Sequence, residues 1–250
     1  MLSEQALSRA LAGAGLRAPV RFDEVTGSTQ ATAVRMAIDG APEWTLVAAS
    51  HQTAGRGRLG RTWTDQPGHA LLFSLVLRPP LEPDSIGTIS LLAGTALTTA
   101  CRDVAAADAT CKWPNDVLVN GRKAGGILAE ARVAVSSVEF VVVGIGVNLG
   151  SPPSDVPNAA AVEADDETLL TAFLHRFAQG YRPSSESFGH DVVASYRNVC
   201  STLGTQIRAR TTGGNVVEGD AVDVDETGAL LVRVGEAVER VRFGEVEHLQ

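Results

Sequence analysis

Lysine is almost missing from this sequence. Of 21 basic residues, 19 are arginine, and the two lysines, Lys112 and Lys123, stand only 11 positions apart. Codon usage accounts for the rarity but not for the spacing. Cysteine is scarce too. Cys101, Cys111 and Cys200 are an odd number without CxxC spacing. That speaks against a disulfide framework and a zinc site, and for a reducing, cytoplasmic setting. Positive charge is in deficit, 21 Lys+Arg against 29 Asp+Glu for a net −8, which excludes a protein that coats nucleic acid by bulk charge. Any bound anion must be caught by a local patch. Long apolar runs are absent. The stretch from Phe140 to Val147 is broken by two glycines, far short of the roughly 20 residues that cross a bilayer. The N-terminal stretch has an acid at Glu4 and no apolar h-region, so no secretory signal is expected. With 44% hydrophobic and 20% charged residues in 250, the chain can bury one large core, alone or with a small appendage.

Periodicity predicts helices over 3–13, 29–39 (Ser28 as N-cap, Gly40 as stop), 84–105, 167–179 and 188–200. Strands are expected at Val20–Val25, Thr45–Ser50, Ala70–Leu77, Val117–Asn120, Gly126–Ala131 and Val138–Val147, with a turn around Gly121 and Arg122. Segments 55–69 and 150–166 read as loops. From Leu203 the texture changes to short alternating runs, Gln206–Thr211, Asn215–Val217, Ala221–Val224, Leu230–Val234 and Ala237–Phe243, separated by glycine turns. The expectation is an α/β (α+β) protein: a mixed-sheet domain over 1–202 and a small β-barrel over 203–250.

Three segments carry chemistry. Gly55-Arg56-Gly57-Arg58-Leu59-Gly60-Arg61 formally matches GxGxxG, but no helix start follows it and the acid about 20 residues on, Glu82, lies among prolines. A dinucleotide fingerprint needs both. What remains is three glycines that allow close backbone approach and three arginines that fork onto carboxylate or phosphate oxygens, so an anion site. Second, Lys112-Trp113-Pro114-Asn115-Asp116 makes a rigid corner before a strand, and Lys123 precedes Gly125-Gly126, whose missing side chains leave room for the lysine to enter a site. Third, Gly144-Ile145-Gly146-Val147-Asn148 ends a buried strand on one polar side chain, a pattern that by itself reads as core strand more than site. No histidine sits at metal-ligand spacing, and no GxSxG elbow or Walker A sequence is present.

These segments, GRGRLGR with Trp63, KWPNDV at 112–117, GRKAGGILAE at 121–130 and GIGVN at 144–148, together resemble those of the biotin–protein ligases. The resemblance spans the large domain, and the C-terminal β unit is similar to the barrel that ends such ligases. It implies an enzyme that activates biotin with ATP and Mg²⁺ to biotinyl-5′-AMP and then acylates a lysine of a biotin carboxyl carrier domain of an acyl-CoA carboxylase. It further implies that Ser28, Thr29, Gln30, Gln52, Gly55, Arg56, Gly57, Arg58, Arg61, Trp63, Lys123 and Gly126 contact biotin or the adenylate. Asn115, Asp116 and Asn148 would lie near the nucleotide. Lys123, Arg58 and Asp116 would be catalytic, Asp116 by positioning or deprotonating the acceptor amine. No metal ligand is assigned. One departure is visible: the usual Ser-Thr-Asn is Ser28-Thr29-Gln30, and the longer Gln30 would have to fold back or yield to water. About 20 residues precede the first expected strand, too few for the DNA-binding domain of the longer members, so a ligase without repressor function, nucleic acid or membrane is expected. A lipoate–protein ligase of the same fold and an Arg-loop nucleic-acid module are the rival readings.

Overall fold

Nearly every residue of segments 70–77 and 138–147 is apolar, so neither face of these strands is solvated and each needs its own cover. Alternation divides them. Leu71, Phe73, Leu75 and Leu77, with Val141, Val143, Ile145 and Val147, enter the main core. Val76, Phe140 and Val142 point the other way into a smaller cluster with Ala33, Ala37 and Val47.

In the computed structural model, which describes residues 2–135, 137–211, 213–242 and 244–249, the large unit runs α1 (Glu4–Gly13), β1 (Val20–Thr26), α2 (Thr29–Ile38), β2 (Leu46–Gln52), β3 (Ala70–Leu77), α3 (Gly87–Ala105), β4 (Ala109–Lys112), β5 (Asp116–Val119), β6 (Arg122–Ala134), β7 (Ser137–Asn148), α4 (Asp166–Gly180) and α5 (Phe188–Arg197). Its seven strands are ordered β1-β2-β3-β7-β6-β5-β4. Only β1 and β2, joined through α2, run parallel. Helices α1, α3, α4 and α5 cover the main-core face, where Phe73, Phe173, Phe177 and Tyr181 form a column of rings 5.2 to 5.7 Å apart. Helix α2 covers part of the opposite face.

Over the rest of that opposite face the middle strand β7 offers no large side chain, although Leu72 of β3 and Leu128 of β6 flank it. Beyond Val142, the next two alternate residues of β7 are Gly144 and Gly146, and β6 sets Leu128 opposite Gly144 and Gly126 opposite Gly146. A strand that omits alternate side chains leaves a hollow beside its backbone.

The second unit is a five-stranded antiparallel sheet of β8 (Gln206–Thr211), β9 (Val216–Val224), β10 (Leu230–Val234), β11 (Ala237–Val241) and β12 (Gly244–His248), ordered β11-β10-β9-β8-β12. Its buried face merges with the main core. Trp113 bolts the units together: its indole Nε1 donates to Gly228 O at 3.0 Å and its backbone N–H to Thr202 Oγ1 at 3.0 Å.

Several boundaries differ from expectation. The runs Asn215–Val217 and Ala221–Val224 are one strand, because Gly219 between them stays in the ladder, opposite Ile207 of β8 and close to the Arg233 carbonyl, while the β9–β10 register shifts further on, at Val222. Strands β4 and β12 have no counterpart among the expected elements, and β6 begins four residues before Gly126. The hairpin turn is Asn120-Gly121, both with positive φ, not Gly121-Arg122. Segment 84–105 splits into a short turn at Pro83–Ser85 and α3. Helix α5 stops at Arg197, three residues before Cys200. In the expected run Ala237–Phe243, β11 ends at Val241, and Phe243 lies outside the described residues. Ser28 occupies the N-cap position of α2, but its hydroxyl makes no capping bond.

Candidate functional site

The glycine hollow is the floor of a cavity of about 360 Å³, within the usual range for small-molecule sites. Its walls come from five places: the start of α2 (Ser28, Thr29, Gln30) with the end of β2 (Gln52), the arginine loop with Trp63, the Lys112–Asp116 corner, Lys123 on β6, and Arg208, Arg210 and Glu245–Glu247 of the C-terminal sheet.

The arginine loop is a small hairpin. Trp63 N donates to Gly55 O at 3.0 Å and Gly57 N to Arg61 O at 2.7 Å, with the tip at Leu59 and Gly60 in left-handed conformation. Gly55 is buried behind the cavity and does not line it; a Cβ there would collide with the Trp63 carbonyl. Each arginine is held. Arg56 forks onto Glu130 at 2.7 and 3.2 Å, Arg61 pairs with Glu245 at 2.5 Å, and Arg58 donates to Asn115 Oδ1 and Gly244 O, both at 3.2 Å. Arg58 is half-buried and has no direct carboxylate partner among the described residues. Burial pushes its pKa below the ordinary arginine value, opposed by the charges of Asp116 and Glu245. A desolvated guanidinium with only neutral oxygens against it is a strong receptor for an anion.

The corner after β4 is stitched to β6. Asn115 Nδ2 donates to Ile127 O and Ile127 N to Asn115 O, both at 2.9 Å. Its remaining side-chain oxygen faces Arg58. One step on, Asp116 Oδ1 lies 2.6 Å from Lys123 Nζ across the β5–β6 pair. At the floor, Gln52 Oε1 accepts from Thr29 N (2.8 Å) and Thr29 Oγ1 (3.2 Å). Trp63 lies over Gly126 and Gly146, and a Cβ on Gly146 would stand 2.5 Å from its ring. Two cavity-lining groups, Ser28 Oγ and Trp63 Nε1, are buried without a hydrogen-bond partner among the described residues. Buried polar atoms are rarely left unpaired, so both are shaped for a ligand that accepts from the indole and bonds the hydroxyl.

The expected residues therefore converge, apart from Gly55 and Asn148. Asn148, 4% exposed, does not line this cavity. Its Nδ2 donates to Ala160 O at 2.9 Å and its backbone carbonyl accepts from Val162 N, so it ties the 159–162 segment to the end of β7. Glu130, Lys112, Arg208, Arg210 and Glu245–Glu247 were not among the candidates. Glu130 had a readable signal, since period two along Gly126, Leu128 and Glu130 sets it on the cavity side of β6. The C-terminal residues had none, because only docking of the two units brings them to the site. No cluster of three metal-ligating side chains occurs among the described residues, and none of their helices is long and apolar enough to cross a membrane.

Comparison with known proteins places the chain in a family. Residues 22–148 match the model of the Biotin/lipoate A/B protein ligase family, and residues 202–249 match the Biotin protein ligase C terminal domain. The chain is 35% identical to the biotin--[acetyl-CoA-carboxylase] ligase of Mycobacterium tuberculosis, over 100% of this chain and 96% of that one. It is 33% identical to the bifunctional ligase/repressor BirA of Bacillus subtilis, over 90% of this chain and 73% of the relative. The biotin protein ligase of Aquifex aeolicus, solved in complex with biotin and ATP, superposes with a TM-score of 0.74 at 24% identity, covering 93% of this chain and 99% of that one. The chain belongs to the biotin/lipoate A/B protein ligase family, and within it to the biotin protein ligases.

Proposed function

We propose that this protein activates biotin with ATP to biotinyl-5′-AMP, releasing pyrophosphate, and then transfers the biotinyl group to a lysine of a biotin carboxyl carrier domain in the cytoplasm. Residues 1–202 form the catalytic unit and 203–250 the unit that closes one wall of its site. The observation that carries the reading is one cavity joining a glycine floor, two unpartnered buried polar groups and a rim of Arg56, Arg58, Arg61 and Lys123. An apolar bicyclic acid with a polar head suits the floor, and a phosphate suits the rim.

In the first half-reaction a biotin carboxylate oxygen attacks the α-phosphorus while the P–O bond to pyrophosphate breaks, the electron pair leaving with pyrophosphate. Two anions must meet, and charge grows on the leaving group. Lys123 and the arginines offset it where it develops. Lys123, a compact cation held by Asp116, can follow the carboxylate into the bond-forming position. In the second half-reaction the acceptor amine attacks the acyl carbon and AMP leaves. Asp116 positions that amine or takes its proton once Lys123 has turned to the phosphate. Mg²⁺ bound with the nucleotide would be held mainly by phosphate oxygens and water, with Asp116 or Glu245 from among the carboxylates that line the cavity, and would supply charge neutralisation to the polyphosphate. The arginine hairpin and Trp63 shield the mixed anhydride from water.

The test is incubation of the purified chain with Mg·ATP and biotin, followed by native mass analysis. Protein-bound biotinyl-adenylate is the expected product, and lipoate in place of biotin should give none.

A further inference from the structure

Arg56 is the one loop arginine whose partner sits on the strand that carries Lys123, and that partner is itself held from the cavity floor. Glu130 on β6 takes two N–H groups of Arg56, and its Oε2 also accepts from Gln30 Nε2 at 3.0 Å. The second N–H of that amide donates to Val142 O at 3.1 Å, and Gln30 Oε1 accepts from Ser74 Oγ at 3.3 Å. Ser74 Oγ lies 3.0 Å from Thr29 Oγ1, which bonds Gln52. Both Gln30 N–H groups are thus spent inside the protein, so Gln30 does not offer them to a ligand. Its extra methylene, the departure from the family's usual asparagine, is what reaches Glu130. The space for its Oε1 exists because residue 144 is glycine; a Cβ there would collide with that oxygen.

The Arg56–Glu130 pair adds little to folding. Its side chains are 48% and 32% exposed, and exposed pairs contribute about 0–1 kcal/mol. What a forked pair supplies is geometry: it fixes the guanidinium plane and leaves three N–H groups free for a ligand.

We propose that Glu130 is a positioning residue for adenylate retention, locked by Gln30 at the cavity floor and holding Arg56 over the cavity, so that floor and arginine loop act as one unit. This rests on the proposed ligase activity. A residue that only filled space would affect biotin binding and adenylate retention alike. A residue that aims Arg56 affects retention alone.

The experiment uses the full chain. Biotin affinity is measured without ATP, then the adenylate is formed with Mg·ATP and its dissociation followed after a chase of excess unlabelled biotin. Glu130→Gln should shorten the adenylate half-life about tenfold, the loss of one charge-assisted contact, while biotin affinity stays within about threefold. Glu130→Asp, which keeps the charge with shorter reach, should fall between that variant and wild type. Arg56→Ala should match Glu130→Gln, and the double variant should lose no more than either single change. Gln30→Asn, which withdraws the amide from Glu130, should also shorten the half-life. An unchanged half-life in Glu130→Gln, additive losses in the double variant, or a parallel fall in biotin affinity would each overturn the proposal. Failure of the wild-type chain to form any adenylate would instead defeat the ligase reading, and it would be seen before any variant is made.

Discussion

The two faces of β3, β7 and β6 are built from the same strands and do opposite work. On one face alternate positions carry Phe73, Leu75, Val143 and Ile145, packed under α3 and α4. On the other, Gly126, Gly144 and Gly146 withhold side chains, and a few polar groups surround the gap. Stability comes from filling one face, and binding comes from leaving the other unfilled. A change of similar size should therefore show as lost stability on one side and lost chemistry on the other.

The largest effect should come from exchanging these roles. Gly146→Val fills the hollow under Trp63 and should cut adenylate formation about a thousandfold, ~4 kcal/mol of barrier, with melting within about 3 °C of wild type. Phe73→Ala, on a residue with no exposed surface, should cost about 3–5 kcal/mol and lower the melting temperature by about 10 °C, with activity per folded molecule preserved. Calorimetry beside an adenylate assay separates the two. If Gly146→Val melted early and Phe73→Ala lost chemistry, the division between faces would fail.

Next comes Lys123→Ala, expected to slow adenylate formation about 10²–10³-fold, the usual scale for removing a group that meets developing charge. Lys123→Arg should not restore it, because a planar fork does not replace a compact ammonium. Near-normal single-turnover rates in either variant would remove Lys123 from its role. Arg58→Ala should leave the fold intact, since Arg58 is desolvated with only neutral acceptors in direct contact, and should speed adenylate escape about tenfold. Unchanged retention would count against the arginine hairpin as a lid.

The smallest effect lies at the seam between the units. His248, whose Nε2 sits 3.1 Å from Thr202 Oγ1, has its pKa pushed below the ordinary histidine value, first by burial and then by Lys112. The folded state therefore favours the neutral ring. As pH falls below about 6.5 the unfolded chain takes up a proton that the folded chain resists, so this contribution to stability is lost towards acid. Melting curves between about pH 5.5 and 7.5 should fall more steeply in wild type than in His248→Gln. Parallel curves would show that the ring titrates alike in both states.

How much of this was legible in the sequence depended on distance along the chain. Ala70–Leu77 was readable to the residue, because an apolar run ended by Pro79-Pro80 is a local signal. The GRGRLGR loop and the KWPND corner were readable as anion-seeking and rigid, and both line the cavity. Glycines at period two looked like an ordinary core strand, since what they leave open shows only once Trp63 and Gln30 are placed against them. Asn148 has the polarity of a site residue, yet it ties down the 159–162 segment, a contact that no local pattern announces. Arg210 and Glu245 reach the cavity only because Trp113 and Thr202 dock the second sheet there. The scarcity of lysine narrowed the search usefully, since Lys112 and Lys123 both line the cavity.

The central claim is that the unfilled face, rimmed by Lys123 and the arginine hairpin, forms and holds an acyl-adenylate. Native mass analysis of wild type and Gly146→Val, each shown by calorimetry to be folded and each incubated with Mg·ATP and biotin, tests it most directly. The account predicts bound biotinyl-adenylate on wild type and none on Gly146→Val. Folded wild type without adenylate, or equal adenylate on both, would contradict it.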